Sequence, residues 1–408
     1  MRQLLSGVPR CLHRGVRAGR RRVVSVAEEK KLMKGNEAMA EAALRAGCRA
    51  YFGYPITPQN ELIAYMARHM LERGRVFIQA ESEIAAVNMV YGAASTGARA
   101  MTSSSSPGIS LKQEGISYAA GADMPIVVAN VVRAGPGLGA IAPSQGDYFQ
   151  STRGGGHGDY YCIVLAPKSV QEAADLTYLA FDLADKWRVP VILQADGMIG
   201  QMMEGVVLPP ERPLDSLPKK DWAVGGMEAS RREPNHITSI DLVPESFEKK
   251  IRARFERYAK IKAEEVRFES VSCGYDEMDV SGGTGAGTGT GTGTGKAGCS
   301  AEDAELVLVA YGTSARVCLG ARKLAEKEGI KLGLFRPVTL WPFPEKELAR
   351  VSANGKPMLV VEMSMGQMVE DVKLSTLGKC PVHFLGRVGG VIPTEEEVFA
   401  EVRRILGR

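Results

Sequence analysis

The sequence predicts an α/β protein built on parallel sheets, and three observations carry that prediction. Short apolar runs alternate with amphipathic helical patterns from about residue 34 to residue 200. The alternation stops over residues 205–304, where prolines, charged residues and a Gly/Thr-rich run dominate, and it resumes at Glu305. No stretch of the chain is apolar for long enough to cross a bilayer. Strand-helix alternation of this kind implies a parallel sheet covered by helices on both faces, here in two units.

The elements follow in order. A helix over Asn36 to Ala46 precedes a strand at Ala50 to Gly53. A helix over Asn60 to Met70 carries Leu62, Ile63, Met66 and Met70 on one face at helical spacing. A strand at Val76 to Gln79, a helix over Ser82 to Ala94 and a strand at Arg99 to Thr102 come next. The Ser-rich turn Ser103 to Gly108 leads to a helix near Leu111 to Ala120 and the apolar strand Pro125 to Val132. Beyond a Gly-rich loop, a strand at Tyr160 to Leu165 precedes a helix over Val170 to Arg188, which Ser169 and Glu172 mark with a capping box. Strand Val191 to Ala195 closes the first unit.

A charged helix pattern runs from Glu245 to Arg267. The Gly/Thr run from Ser281 to Gly298 reads as a flexible linker, because it cannot bury enough apolar surface to offset its ordering entropy. It is not a phosphate-binding loop: Thr290 and Ala297 stand where Gly and Ser or Thr are needed. In the second unit, strand Leu306 to Tyr311 leads to a helix over Ala315 to Glu328 that Gly329 stops. Strands near Leu332 to Phe335, Met358 to Val361 and Val382 to Leu385 follow. A final helix over Glu395 to Leu406 opens with a Thr394/Glu397 capping box. The expected organisation is residues 1–27 as a leader, 30–210 as the first α/β domain, 211–304 as a charged and Gly/Thr-rich linker region, and 305–408 as the second domain.

The formal net charge of +4 is unevenly placed. Residues 1–27 hold seven arginines and no acid, so the body of the chain is mildly acidic and the basic balance does not indicate nucleic-acid binding. Leu4, Val8, Leu12 and Val16 recur every four residues in this leader, with Arg10, Arg14 and Arg17 off that face. Such an Arg-rich amphipathic start is expected to direct import into a mitochondrion or related organelle matrix; a disordered basic tail on a cytoplasmic protein is the alternative. The seven cysteines include no pair closer than nineteen residues. That spacing argues against a zinc ribbon, a redox C-x-x-C or a ferredoxin-type cluster on this chain, and no metal ligands are assigned to it.

In open parallel sheets ligands sit at the carboxyl ends of strands, and four loops there hold unusual residues. In Gly53-Tyr54-Pro55-Ile56-Thr57-Pro58, two prolines fix the backbone around Thr57 and present its hydroxyl; the bland reading is a strand-to-helix turn. In Gln79-Ala80-Glu81-Ser82-Glu83, Glu83 falls in the first helical turn, where the dipole favours a carboxylate; helix-start decoration is the alternative. The run Ser103 to Gly108 offers the hydroxyls of Ser105 and Ser106 at a helix start, suited to an anion or substrate, or it is a polar turn. Arg133, ahead of Ala134-Gly135-Pro136-Gly137-Leu138-Gly139, is a candidate clamp for a substrate carboxylate. The glycines after it resemble a dinucleotide fingerprint only superficially, since Ala140 fills the last position and Pro143 follows where a helix should open. The His157-Gly158-Asp159 turn adds polar groups, with a structural turn the simpler reading.

Together the runs GNEAMAEAALRAGC, YFGYPITPQNE, QAESEIAAVNMVYGAASTGARAMTSSSSPGISLKQEGISYAAGADMPIVV and PSQGDYFQSTRGGGHGDYYCIVLAPKSVQEA resemble the α subunit of 2-oxoacid:ferredoxin oxidoreductases, most nearly the 2-oxoisovalerate (3-methyl-2-oxobutanoate) type. The resemblance runs from about residue 30 to 408 apart from the Gly/Thr run. It implies a thiamine-diphosphate enzyme with a pyrimidine-binding first domain and a transketolase C-terminal-like second domain. It implies that Glu83 hydrogen-bonds the aminopyrimidine ring with Tyr54, Pro55 and Ile56 beside it, that Thr57 and Arg133 bind the 2-oxoacid, and that Ser105 and Ser106 line the substrate. Gly137-Leu138 and Ala142 replace hydroxyl-bearing residues common in relatives, which fits an apolar substrate tail better than 2-oxoglutarate.

The Gly-Asp-Gly start that holds the diphosphate and Mg²⁺ in this class is absent, because Ala195 precedes Asp196-Gly197. The resemblance therefore implies a partner β subunit carrying Mg²⁺ and a [4Fe-4S] cluster, with γ and ferredoxin-like subunits possible in the complex. CoA, a 2-oxoacid and ferredoxin would be its substrates. Two other expectations stand beside this one: a pyruvate or 2-oxoglutarate member of the same family, and a non-catalytic assembly subunit.

Overall fold

The computed structural model describes residues 29–225, 234–271 and 304–408. The leader, residues 226–233 and the Gly/Thr run lie outside the described residues. The first unit is a seven-stranded sheet. Its strands are β2 (Ala50–Gly53), β3 (Val76–Gln79), β4 (Ala100–Ser104), β5 (Ile126–Val132), β6 (Ile163–Leu165), β7 (Val191–Asp196) and β12 (Thr339–Trp341), in the order β12-β6-β7-β5-β4-β2-β3. All neighbours pair parallel except β12, which runs antiparallel to β6. Every residue of the central strand β5 is buried, as expected where helices cover both faces.

Those helices are α1 (Gly35–Arg45), α2 (Asn60–Glu72), α3 (Glu83–Ser95), α4 (Ser106–Gly121) and α6 (Val170–Trp187). α1 packs on α6 and α2, and α3 packs on α4. A two-stranded ribbon of β1 (Lys31–Lys34) and β8 (Met203–Val206) ties the start of α1 to the end of the unit. Two short helices, α5 (Tyr148–Thr152) and α7 (Gly197–Gln201), follow β5 and β7.

The second unit is a five-stranded sheet of β9 (Phe268–Val271), β10 (Leu306–Val309), β11 (Leu332–Pro337), β13 (Met358–Glu362) and β14 (Val382–Gly386), in the order β14-β13-β10-β11-β9. Helices α9 (Gly312–Lys327), α10 (Glu345–Val351), α11 (Met368–Thr376) and α12 (Glu395–Leu406) accompany it. The charged helix α8 (Pro244–Glu264) buries Arg254, Tyr258 and Ile261, and Tyr258 packs edge-on against Trp341 at 5.5 Å between ring centres. Its partner strand β9 then joins the second sheet antiparallel to β11. The described part of the stretch between the units is thus a strap across both.

Two strands exchange allegiance here, β9 and β12, and neither was expected from the sequence. Each joins a sheet only by antiparallel pairing with a strand far away in the chain, which no local pattern announces. One expected cap also changes. Ser169 caps α6 through the Glu172 N–H at 3.1 Å, but the Glu172 carboxylate binds the Lys168 N–H and Arg336 instead of turning back on Ser169. The Thr394/Glu397 capping box forms with both halves.

Candidate functional site

Parallel pairing puts the carboxyl ends of β2, β3, β4 and β5 along one edge of the sheet, and the predicted residues gather on it. The loop after β2 is half-exposed at Tyr54, Ile56 and Thr57 and exposed at Pro55. Three buried or half-buried amides hold it from behind. Gln59 donates to the Tyr54 carbonyl at 3.2 Å, and Asn36 and Gln201 donate to the Pro58 carbonyl at 2.7 and 2.6 Å. Gln59 is itself fixed by the Ser103 hydroxyl at 2.6 Å, and Ser103 meets the buried Tyr51 hydroxyl at 2.5 Å. The loop backbone is therefore set by groups on four other segments, and the Thr57 hydroxyl, which accepts from Asn60 at 3.3 Å, faces outward.

Behind the same loop, Glu61 accepts from Lys34, Asn36 and Gln201, each at 2.8 Å. Burial opposes its charge, yet these donors hold its carboxyl down at about 2. The network, half-buried at Lys34 and Glu61, stays ionised at neutral pH.

Arg133 is buried and lies against the Thr57 loop. Its guanidinium donates to the Thr57 carbonyl at 3.0 Å and to the Leu138 carbonyl at 3.2 Å, while its Nε has no partner. Ser106 bridges the Arg133 backbone, with its hydroxyl 3.1 Å from both the carbonyl and the N–H. The structure thus brings Thr57, Ser106 and Arg133 together. The segment after Arg133 closes on itself: Ala134 and Ala142 pair, and Ala140 donates to Ala134. Gly139, at φ +59°, could not carry a Cβ because it would meet the Ala134 carbonyl oxygen at 1.8 Å. This turn projects Leu138 and Ile141, 82% and 65% exposed, beside Arg133 and Thr57.

The acidic pair separates cleanly. Glu81 is exposed, whereas Glu83 is 6% exposed at the start of α3. Among the described residues no hydrogen bond reaches the Glu83 carboxylate. Gly108 of α4 leaves it room, for a Cβ there would stand 2.6 Å from Glu83 Oε1. Ser104 and Ser105, both fully buried nearby at the β4–α4 junction, carry hydroxyls without a partner. A buried carboxylate without a donor, next to unpartnered hydroxyls, fits a ligand that brings its own ring N–H or amine. Ser105 therefore borders this site from within the protein rather than from solvent. Lys112, Gln59, Asn36 and Gln201 were not anticipated, and no local pattern in the sequence marks them.

Two features lie elsewhere. Asp196 is fully occupied: its carboxylate accepts from the Thr313 N–H at 2.8 Å, the Thr313 hydroxyl at 2.6 Å and the Ile199 N–H at 3.2 Å. Burial pushes its carboxyl above the usual range, and those three donors counter the effect. The His157-Gly158-Asp159 turn rests on the far end of α4, where the Ser117 hydroxyl donates to the His157 carbonyl. Among the described residues no group of three His, Cys, Asp or Glu side chains could hold a metal ion, and no helix is long and apolar enough to cross a membrane.

The strand-end site lies in a region that matches a thiamine-diphosphate-binding class of protein. The family "Pyruvate flavodoxin/ferredoxin oxidoreductase, thiamine diP-bdg" matches residues 41–266, and "Pyruvate:ferredoxin oxidoreductase core domain II" matches residues 304–398. The chain belongs to this 2-oxoacid oxidoreductase family and is an oxidoreductase subunit that acts as part of a complex.

Ketoisovalerate oxidoreductase subunit VorB of Methanothermobacter marburgensis is 45% identical over 92% of this chain and 98% of its own length. 2-oxoglutarate synthase subunit KorA of Archaeoglobus fulgidus is 38% identical over 85% and 91%. The solved 2-oxoglutarate:ferredoxin oxidoreductase from Magnetococcus marinus, with 2-oxoglutarate, coenzyme A and succinyl-CoA bound, superposes with a TM-score of 0.74 at 24% identity. It covers 92% of this chain, which spans 65% of that one. A split gene transketolase shares the fold at a TM-score of 0.52 and 14% identity, over 92% of this chain and 98% of that chain.

Proposed function

We propose that this chain supplies the pyrimidine side of a thiamine-diphosphate site and that its complex oxidatively decarboxylates a branched-chain 2-oxoacid, 2-oxoisovalerate. CoA accepts the acyl group, CO₂ leaves, and two electrons pass to oxidised ferredoxin. The observation that carries the substrate assignment is the pair of exposed apolar side chains, Leu138 and Ile141, on the turn beside Arg133 and Thr57. An isopropyl tail would bury apolar surface against Leu138 and Ile141, whereas a second carboxylate would have to give up its water there. The identity to ketoisovalerate subunits, 45% against 38% for the 2-oxoglutarate subunit of A. fulgidus, supports the same reading.

The residues present suit one end of the cofactor. Glu83 would accept from the aminopyrimidine ring, a charge-assisted bond worth roughly 1.5–3 kcal/mol, with Tyr54, Pro55 and Ile56 beside the ring. When bound, thiamine diphosphate supplies a carbanion equivalent and an electron sink for decarboxylation. Arg133 would hold the substrate carboxylate, and the Thr57 hydroxyl would donate to its carbonyl oxygen. Ser106 orders Arg133 by bridging its backbone.

The other end of the cofactor does not suit this chain. Asp196 is consumed by Thr313. A β subunit is therefore proposed to hold the diphosphate, Mg²⁺ and a [4Fe-4S] cluster. Val76 and Ile78 on the edge strand β3, Ile84 next to Glu83, and Leu111 on α4 are 42–50% exposed. An apolar sheet edge of this kind is a liability unless covered, so it supports a partner chain against the Glu83 side of the sheet.

The test is the kcat/KM of the purified complex for 2-oxoisovalerate, pyruvate and 2-oxoglutarate. A preference of at least about tenfold for 2-oxoisovalerate is expected, the size of one or two buried methyl groups. Equal or better use of 2-oxoglutarate would reject the branched-chain assignment.

A further inference from the structure

Lys112 is fully buried in α4. Its ammonium donates to the Glu83 main-chain carbonyl at 3.2 Å and forms no ion pair with a carboxylate among the described residues. Its position follows from helical spacing. Gly108, Lys112 and Gly115 lie four and three residues apart, on one stripe of α4 facing the first turns of α3. Gly108 makes room for the Glu83 carboxylate, Lys112 reaches the Glu83 carbonyl, and Gly115 receives Val87, which a Cβ would meet at 2.4 Å. The stripe therefore clasps the residue at the start of α3 by both its side chain and its backbone. A methionine would fill the Lys112 space without the cost of removing an ammonium from water, so the charge itself calls for a use.

We propose that Lys112 is a positioning residue for Glu83, its buried ammonium anchoring the first turn of α3 and so fixing where the Glu83 carboxylate meets the cofactor ring. The proposal rests on the reading of Glu83 as the ring contact. The other charged groups near this end of α4 are Arg133 and Asp147, linked to it through Ser106 and Asn130, and Glu114, which accepts from Tyr118 on the outer surface. Burial lowers the Lys112 amine to about 8, against the pull of Glu83. The cation is present below that pH and is lost above it.

The experiment compares Lys112→Met, Lys112→Arg and Glu83→Gln in the assembled complex. Two readouts are followed across pH 6.5–9.5: steady-state kinetics and the affinity for thiamine diphosphate by calorimetry. For Lys112→Met at pH 7, kcat should fall roughly tenfold, about the size of one lost charge-assisted hydrogen bond, with KM for the 2-oxoacid within about twofold. In the wild type, kcat and cofactor affinity should decline together as pH rises through about 8. That limb should vanish in Lys112→Met. It should also vanish in Lys112→Arg, which keeps its charge and its activity at pH 9. If Lys112→Met does not assemble, the Lys112→Arg profile decides. An alkaline limb retained in either variant, or a Lys112→Met complex with wild-type kcat, would overturn the proposal while Glu83→Gln still loses at least ~100-fold. An active Glu83→Gln complex would instead overturn the reading beneath it.

Discussion

Arg133 shows how a single side chain can be both scaffold and candidate ligand. Two of its donors are used by the carbonyls of Thr57 and Leu138, which locks the guanidinium plane against the Thr57 loop. A lysine keeps the charge but cannot span two carbonyls and a carboxylate at once. Arg133→Lys should therefore raise KM for the 2-oxoacid about 10- to 100-fold, the worth of one charge-assisted hydrogen bond. Steady-state kinetics of the complex check this, and an unchanged KM would remove Arg133 from the substrate site. Glu81 and Glu83 make the complementary point. Two positions apart in sequence, one is exposed and the other is buried against Gly108, because α3 begins at Glu83.

At the scale of elements, the packing of α4 on α3 controls the space around Glu83. Glycine-to-alanine changes usually stabilise a helix by up to about 1 kcal/mol, but Gly108 and Gly92 should behave oppositely. A Cβ at Gly108 would stand 2.0 Å from Ser104 Oγ and 2.6 Å from Glu83 Oε1, whereas one at Gly92 meets nothing within 4 Å. Gly108→Ala should cut turnover at least about tenfold. Gly92→Ala should leave turnover unchanged and not lower Tm, as activity assays and thermal melts of the two variants would show.

Much of this scaffold was legible in the sequence. Strands Ala50–Gly53 and Val76–Gln79 and helix Glu395–Leu406 have the expected bounds, because apolar period and capping residues are local signals. β9 and β12 were invisible, since each exists only through pairing with a distant strand. α4 begins at Ser106, five residues before the expected helix. Its Ser-Pro-Gly opening looks like a turn until the helix is seen to need small residues against α3. The loop residues Thr57 and Arg133 stood out locally, but Asn36, Lys112 and Gln201 act on the site across 22 to 143 residues of chain, and Gln59 across five.

The whole molecule is two sheets joined through buried polar contacts. Arg336, 1% exposed, binds Glu172 of the first unit and Glu269 of the strap. Burial opposes the charge of Glu269, but Arg336 and Lys168 hold its carboxyl at about 2. Gln145 fixes the units at a second point, donating to the Tyr311 carbonyl and accepting from Ser314 and the Met363 N–H. This seam occupies Asp196, the acid nearest in sequence to a diphosphate-binding pattern. In the proposed function, the cofactor site is completed only by a partner chain. Calorimetric titration of thiamine diphosphate with Mg²⁺ into the isolated chain and into the assembled complex tests it most directly. Saturable binding by the complex, with none by the isolated chain at the same concentrations, is the predicted result. Binding by the isolated chain with the affinity of the complex would contradict it.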